Sequence, residues 1–139
     1  MKYQYTSVYN PDTKQKLKKR PIVEIELFGK KGAVKTLALI DSGADRSLFN
    51  IQFAKEIGID LTNAKEEGFI GIGDIKPIQC FMSEVEIKIE GIDNKIKITA
   101  GFINSDSVNA LLGQEDFFDN YRIKFEKDHG VFEIIPVSK

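Results

Sequence analysis

Leu37-Ala38-Leu39-Ile40-Asp41-Ser42-Gly43-Ala44-Asp45 is an apolar run that ends abruptly in a carboxylate, a hydroxyl and a glycine. Apolar residues on both faces mark a strand inside the core, expected over Ala33 to Ile40. A carboxylate at the end of such a strand is costly unless something holds it. Gly43 lets the backbone turn sharply and approach another group closely. The Ser42 hydroxyl can lock that turn onto nearby backbone.

Outward from this segment the chain reads as all-β. Ile22 to Phe28 alternates, and Gly29-Lys30-Lys31-Gly32 turns it into the strand that carries Asp41. Ile78 to Ile89 and Lys95 to Ile103 alternate around Gly91-Ile92-Asp93-Asn94, and Tyr121 to Phe125 with Val131 to Ile135 reads as a hairpin. Asn50 can cap a short helix over Ile51 to Ile57 that Gly58 stops, and Gln114 to Asn120 suits a second. Phe69 to Gly73 is apolar and glycine-rich, and a second apolar run, Ala110-Leu111-Leu112, ends at Gly113. Met1 to Tyr9 alternates weakly up to a turn at Asn10-Pro11-Asp12. Lys14 to Arg20 is basic and reads as a solvated loop. Residues 1–19 are thus expected to be an N-terminal extension, strand plus basic loop, before a single domain at 20–139.

At 139 residues the chain is long enough to bury one core without staples. A net charge of −1 gives no global electrostatic case for nucleic acid or a membrane surface. No apolar run approaches the roughly 20 residues of a membrane-spanning helix. The opening stretch lacks the apolar region of a signal peptide, so a cytoplasmic location is expected. One cysteine, Cys80, excludes an intrachain disulfide, and with one histidine cannot build a Cys/His zinc site. No metal or cofactor is expected. A phosphatase-type Asp-x-Asp is absent, because the next acid is Asp45, and no phosphate-binding glycine pattern is present. Cys80 and His129 as nucleophile and base have nothing in the sequence to bring them together. Asp-Ser-Gly alone also suits a plain turn in a β-barrel interaction protein.

The company of this motif decides for more. Leu-Ile-Asp-Ser-Gly-Ala-Asp resembles the active-site motif of the retropepsins, the retroviral-type aspartic proteases. Arg20-Pro21-Ile22-Val23 is similar to the Arg-Pro before the first core strand of many members. Ile70-Gly71-Ile72-Gly73 is similar to the glycine-rich flap tip, and Ala110-Leu111-Leu112-Gly113 to the second apolar-apolar-Gly motif. Gly113-Gln114-Glu115-Asp116-Phe117 and the expected helix after the active-site loop resemble the retrotransposon and cellular branch. The resemblance runs from Arg20 to Ile135. It implies an all-β retropepsin-like acid-protease barrel with one or two short helices, homodimeric, acting on polypeptides.

Aspartic proteolysis needs two carboxylates sharing one proton, since two like charges a few ångströms apart cannot both ionise cheaply. This chain has a single Asp-Ser-Gly: Asp106-Ser107-Val108 lacks the glycine and Asp128-His129-Gly130 the hydroxyl. The second carboxylate is therefore expected from Asp41 of a second copy, across a twofold axis. The resemblance makes Asp41 catalytic and gives Ser42 and Gly43 the task of holding the two loops together. It makes Arg20 and Asp45 an ion pair between subunits and puts Leu39 and Leu111 in side-chain pockets. Leu112 and Gly113 belong to the motif beneath the loop, and Ile70, Gly71, Ile72 and Gly73 to the flap. Ala44 cannot donate the hydrogen bond that a serine there gives pepsin-type sites, so activity is expected to reach mildly acidic or near-neutral pH.

Three features depart from the retroviral pattern. Gln114 stands where many members have Arg, which removes an expected partner of Asp45, with Arg122 one candidate replacement. The flap is polar at Asp74. The terminal strands, which interleave between subunits in that family, are here preceded by a longer N-terminus, and Met1 to Tyr9 either adds a strand or blocks a cleft. The alternative function is a catalytically silent retropepsin-like module for binding or dimerisation.

Overall fold

The computed structural model describes residues 1–9, 17–69, 78–106 and 108–138. The expected flap residues Ile70 to Gly73, the turn at Asn10-Pro11-Asp12 and the first part of the basic stretch lie outside the described residues.

Twelve strands are formed among the described residues: β1 (Lys2–Gln4), β2 (Thr6–Tyr9), β3 (Leu17–Arg20), β4 (Ile22–Gly29), β5 (Gly32–Ile40), β6 (Ser47–Asn50), β7 (Lys65–Phe69), β8 (Ile78–Ile89), β9 (Ile96–Ile103), β10 (Ala110–Leu112), β11 (Tyr121–Glu126) and β12 (Val131–Pro136). The central sheet runs β4-β5-β10-β6-β9-β8-β7 and closes on itself where β4 pairs with β8, Ile25 opposite Ile89. Six strands thus form a barrel, and β7 extends β8 beyond it. Closure removes the free edges that an open sheet would expose.

Alternation puts Val23, Ile25 and Leu27 of β4, Val85, Ile87 and Ile89 of β8, and Ile98, Ala100 and Phe102 of β9 inside. Phe49 of β6 meets Phe102 at 5.9 Å between ring centroids. Strand β6 has the pattern of a buried central strand, with Ser47, Leu48 and Phe49 all inside.

The helix α1 (Ile51–Ile57) falls where its caps predict. The Asn50 side chain accepts from the Gln52 amide at 3.0 Å, and Gly58 ends the helix at φ 76°. Ala54 and Ile57 are its buried face. Asn50 Nδ2 also donates to the Ser105 and Val108 carbonyls, at 3.0 and 3.2 Å, and so anchors the connection into β10.

The second expected helix is not regular. Gln114–Phe118 is one wide turn in which Glu115 is extended and Asp116 sits at φ 65°. Its first two amides, which a helix leaves without internal partners, are met by the Asp41 loop: Gln114 and Glu115 donate to the Ala44 and Asp45 carbonyls, both at 2.8 Å. The Asp116 carboxylate accepts from the Thr99 amide at 2.6 Å.

A second sheet, β1-β12-β11, joins the chain's two ends. Lys2–Gln4 adds a strand to β12, with Tyr3 opposite Phe132. The Tyr3 ring stacks on Phe132 at 5.4 Å and Tyr5 meets it edge-on at 5.6 Å. Leu17–Arg20, expected to be loop, is instead strand β3 paired with β2, its Lys18, Lys19 and Arg20 side chains exposed. Among the described residues no helix is long and apolar enough to cross a membrane.

Candidate active site

Strand β5 delivers Asp41 to the rim of the barrel. Its last residues are held from both sides: β4 pairs Ile22 with Leu39, and β10 runs parallel to β5 with Leu111 opposite Leu39 and Leu112 opposite Ile40. β10 also pairs antiparallel with β6, so the two strands flanking the Asp41 loop straddle the second apolar run. The Ile40 amide donates to the Pro21 carbonyl at 3.0 Å and the Asp41 amide to the Leu112 carbonyl at 2.9 Å. The end of a core strand is thereby fixed on both edges at the residue that carries the carboxylate.

The loop then folds back on that carboxylate. The Gly43 amide donates to Asp41 Oδ1 at 2.9 Å, and the Ala44 amide to the Asp41 carbonyl at 3.2 Å. Asp41 is half-buried, while Ser42, Gly43 and Asp45 are exposed. The carboxylate is thus oriented by backbone yet open to solvent.

Gly113 lets the two motifs touch. A Cβ there would strike the Arg46 carbonyl oxygen, come within 2.6 Å of the Arg46 carbonyl carbon and reach 2.8 Å from the Ala44 oxygen. Its amide donates to buried Ser47 Oγ at 3.1 Å. Beside it, Gln114 Nε2 donates to the Ser42 carbonyl at 2.7 Å. This is what occupies the position of the missing Arg: Gln114 stitches the Asp41 loop itself. Arg122, named as one replacement, is exposed on β11, and among the described residues neither it, Arg20 nor Asp45 forms an ion pair within the chain.

Leu39 and Leu111, adjacent across the β5–β10 pair, line an open groove of about 350 Å³ with Ile22, Leu37, Val108 and Ala110. The strand end expected to be apolar on both faces inside the core is therefore one-sided. Ala38 and Ile40 are buried, Leu39 is half-buried, and Leu37 is 56% exposed at the groove. Leu37 was not singled out in the sequence, although its two-residue spacing from Leu39 puts it on that face. Two other grooves, about 180 Å³ beside Glu24 and Glu90 and about 490 Å³ beside Phe28 and Glu84, contain none of the expected site residues.

Cys80 is buried on β8 beside Leu48 and Met82, and burial pushes its thiol up. His129 is exposed on the turn between β11 and β12. Among the described residues no three His, Cys, Asp or Glu side chains gather as a metal site.

The backbone as a whole is similar to the crystal structure of a retropepsin-like aspartic protease from Rickettsia conorii, with a TM-score of 0.62, 17% identity, and 97% of this chain and 98% of that chain covered. The chain has a retropepsin-like fold. EIAV protease in complex with an inhibitor is also similar, at a TM-score of 0.48 and 21% identity over 81% of this chain and 91% of that chain. No family model and no curated protein matches the sequence. In this retropepsin-like chain, Asp41-Ser42-Gly43 and Leu111-Leu112-Gly113 form one bonded unit at the rim of the barrel.

Proposed function

We propose that the chain is an aspartic endopeptidase that works as a homodimer, with Asp41 of each copy supplying half of a carboxylate dyad. The observation that carries this reading is the Gly43 amide on Asp41 Oδ1, 2.9 Å, at the open end of a retropepsin-like barrel. A carboxylate held in one orientation before substrate arrives loses little freedom when it acts. In the dyad, the ionised member takes a proton from a water held between the two. That water attacks the scissile carbonyl. The protonated member gives its proton to the carbonyl oxygen. The first member, now carrying the water's proton, hands it to the departing amine while the second takes one back from the diol, which restores the shared-proton dyad. The groove lined by Leu39 and Leu111 suits an apolar substrate side chain beside the dyad, through burial of apolar surface. Arg20 and Asp45, exposed and without an ion pair in their own chain among the described residues, are available to pair between copies. The flap role of Ile70, Gly71, Ile72 and Gly73 rests on their motif.

The test is cleavage of an unbiased peptide library from about pH 3 to about pH 8, spanning the carboxylate range, with the natural chain and Asp41→Asn. Cleavage that vanishes in the variant supports the dyad and reveals side-chain preference. Cleavage that survives places the chemistry elsewhere. Silence of a preparation shown by sedimentation to be dimeric favours a binding or dimerisation module.

A further inference from the structure

Arg46 follows the Asp41 loop directly, and the mechanism above leaves it without a task. Its main chain is wedged against Gly113, and the next residue, Ser47, accepts the Gly113 amide, so the side chain springs from a fixed base. Its guanidinium lies between two carboxylates from different segments. Nη2 is 3.4 Å from Glu67 Oε1 on β7, and Nε is 3.9 Å from Glu115 Oε2 on the turn after β10. The Arg46 and Glu67 side chains are only 37% and 27% exposed, so their attraction is less screened than at an open surface. Lys65 also reaches Glu67, at 3.4 Å, but from a side chain that is 78% exposed. Glu67 stands opposite Cys80 in the β7–β8 pair, and the buried thiol feels both the Glu67 and the Arg46 charge.

We infer that Arg46 is a positioning residue that docks the described stem of the β7–β8 hairpin onto the Asp41 loop through Glu67, and ties both to the turn after β10 through Glu115. Strand β7 needs such a contact because it lies outside the closed barrel and, among the described residues, pairs with β8 alone. An edge strand with one hydrogen-bonded neighbour opens more readily than a barrel strand. Guanidinium, with donors on several sides of one plane, can hold two carboxylates at once where an ammonium is a point charge. The proposal rests on Asp41 as the centre of the site, since only then does docking of this stem bear on turnover.

Amide hydrogen exchange on the full chain tests the docking apart from catalysis. Arg46→Gln and Glu67→Gln should each speed exchange of the β7 amides about two- to fivefold, the scale of a partly exposed ion pair. The double variant should do less than the sum of the two single ones, because both remove the shared Arg46–Glu67 contact. Exchange in β4 and β5 should stay unchanged, and Arg46→Lys should restore part of the protection. In peptide cleavage the single variants should raise KM with kcat nearly kept, whereas a merely structural role would lower the active fraction and leave KM alone. Unchanged β7 exchange, or effects that add in the double variant, overturns the inference. A chain that cleaves no peptide yet shows the non-additive exchange overturns the proteolytic reading and keeps the docking.

Discussion

Gly113→Ala tests the contact on which the candidate site depends. Gly113 has φ −113° and ψ −171°, an extended conformation open to any residue, so alanine carries no conformational penalty there. The cost is steric. The added Cβ meets backbone on one side only, the Arg46 carbonyl and the Ala44 oxygen, and backbone cannot swing away as a flexible side chain does. Overpacking of this kind costs about 1–3 kcal/mol. Displacement also stretches the bonds from Gly113 to Ser47 Oγ and from Gln114 to the Ala44 carbonyl, at about 0.5–1.5 kcal/mol each. A total of about 2–6 kcal/mol, with a urea slope of about 2 kcal/mol per molar, lowers the unfolding midpoint by about 1–3 M. Gly130→Ala is the control: nothing lies within 4 Å of its Cβ, and its cost comes from φ 70° alone, about 1–2 kcal/mol. Urea titrations at one fixed protein concentration measure both. Gly113→Ala should also cut peptide cleavage well beyond its loss of stability, whereas Gly130→Ala should not. A Gly113→Ala midpoint within about 0.25 M of the natural chain, under the same slope, would refute the close-approach argument. So would a loss of cleavage no greater than that of Gly130→Ala.

Gln114→Ala removes the bond to the Ser42 carbonyl while leaving the barrel intact, and should lower kcat/KM about two- to twelvefold, the range of one neutral hydrogen bond; steady-state kinetics with unchanged kcat/KM would remove Gln114 from the site. At the other end of the chain, burial pushes the Tyr3 hydroxyl up to about 12 from 10.0, with the Glu90 charge and Tyr121 adding to it. Its folded value is raised, so the stability it contributes is whole below pH 10 and is lost as pH climbs through about 12. The urea midpoint should therefore fall across that window, and fall less in Tyr3→Phe; parallel profiles would show that the Tyr3 site does not drive the alkaline loss.

What was legible in the sequence is what short-range physics decides. Asn50 and Gly58 bracket α1 because capping needs only the helix's own neighbours. Ile78–Ile89 and Ala110–Leu112 keep the bounds expected of them because alternation and apolar runs report burial directly. Residues whose state depends on a distant partner were harder to read. Lys65–Phe69 carries Lys, Glu, Glu and Gly and shows no apolar period, yet it is a strand because β8 is long enough to pair with it after closing the barrel. Leu17–Arg20 is a strand for the same reason, paired with β2. The turn at Gln114–Phe118 looked helical, but Asp116 sits at φ 65° with its carboxylate on the Thr99 amide, a contact with a strand distant in sequence. The motif residues of the site were visible, Gln114 among them as a departure from the retroviral pattern; the tasks of Leu37, Gln114 and Arg46, which line, stitch and brace the site, were not, because pairing and packing set them.

The Asp41 loop needs nothing from outside its own chain to take shape. Leu112, Gly43, Gln114 and Ser47 hold its backbone and the neighbouring motif through bonds of 2.7–3.1 Å, all intrachain. What one chain lacks is a second carboxylate, since Asp-Ser-Gly occurs once. On the homodimer reading, association therefore completes chemistry rather than folding. The terminal sheet points the same way. Lys2–Gln4 pairs with β12 of its own chain, so both edges of β12 are already filled, by β1 and β11. On that reading Arg20 and Asp45, exposed at the loop rim, are available for contacts between copies. An ion pair at such a rim contributes only about 0–1 kcal/mol when solvated. On the homodimer reading such a pair would fix the register of two Asp41 loops more than bind them, which is the task a shared-proton dyad sets, because its geometry tolerates little error.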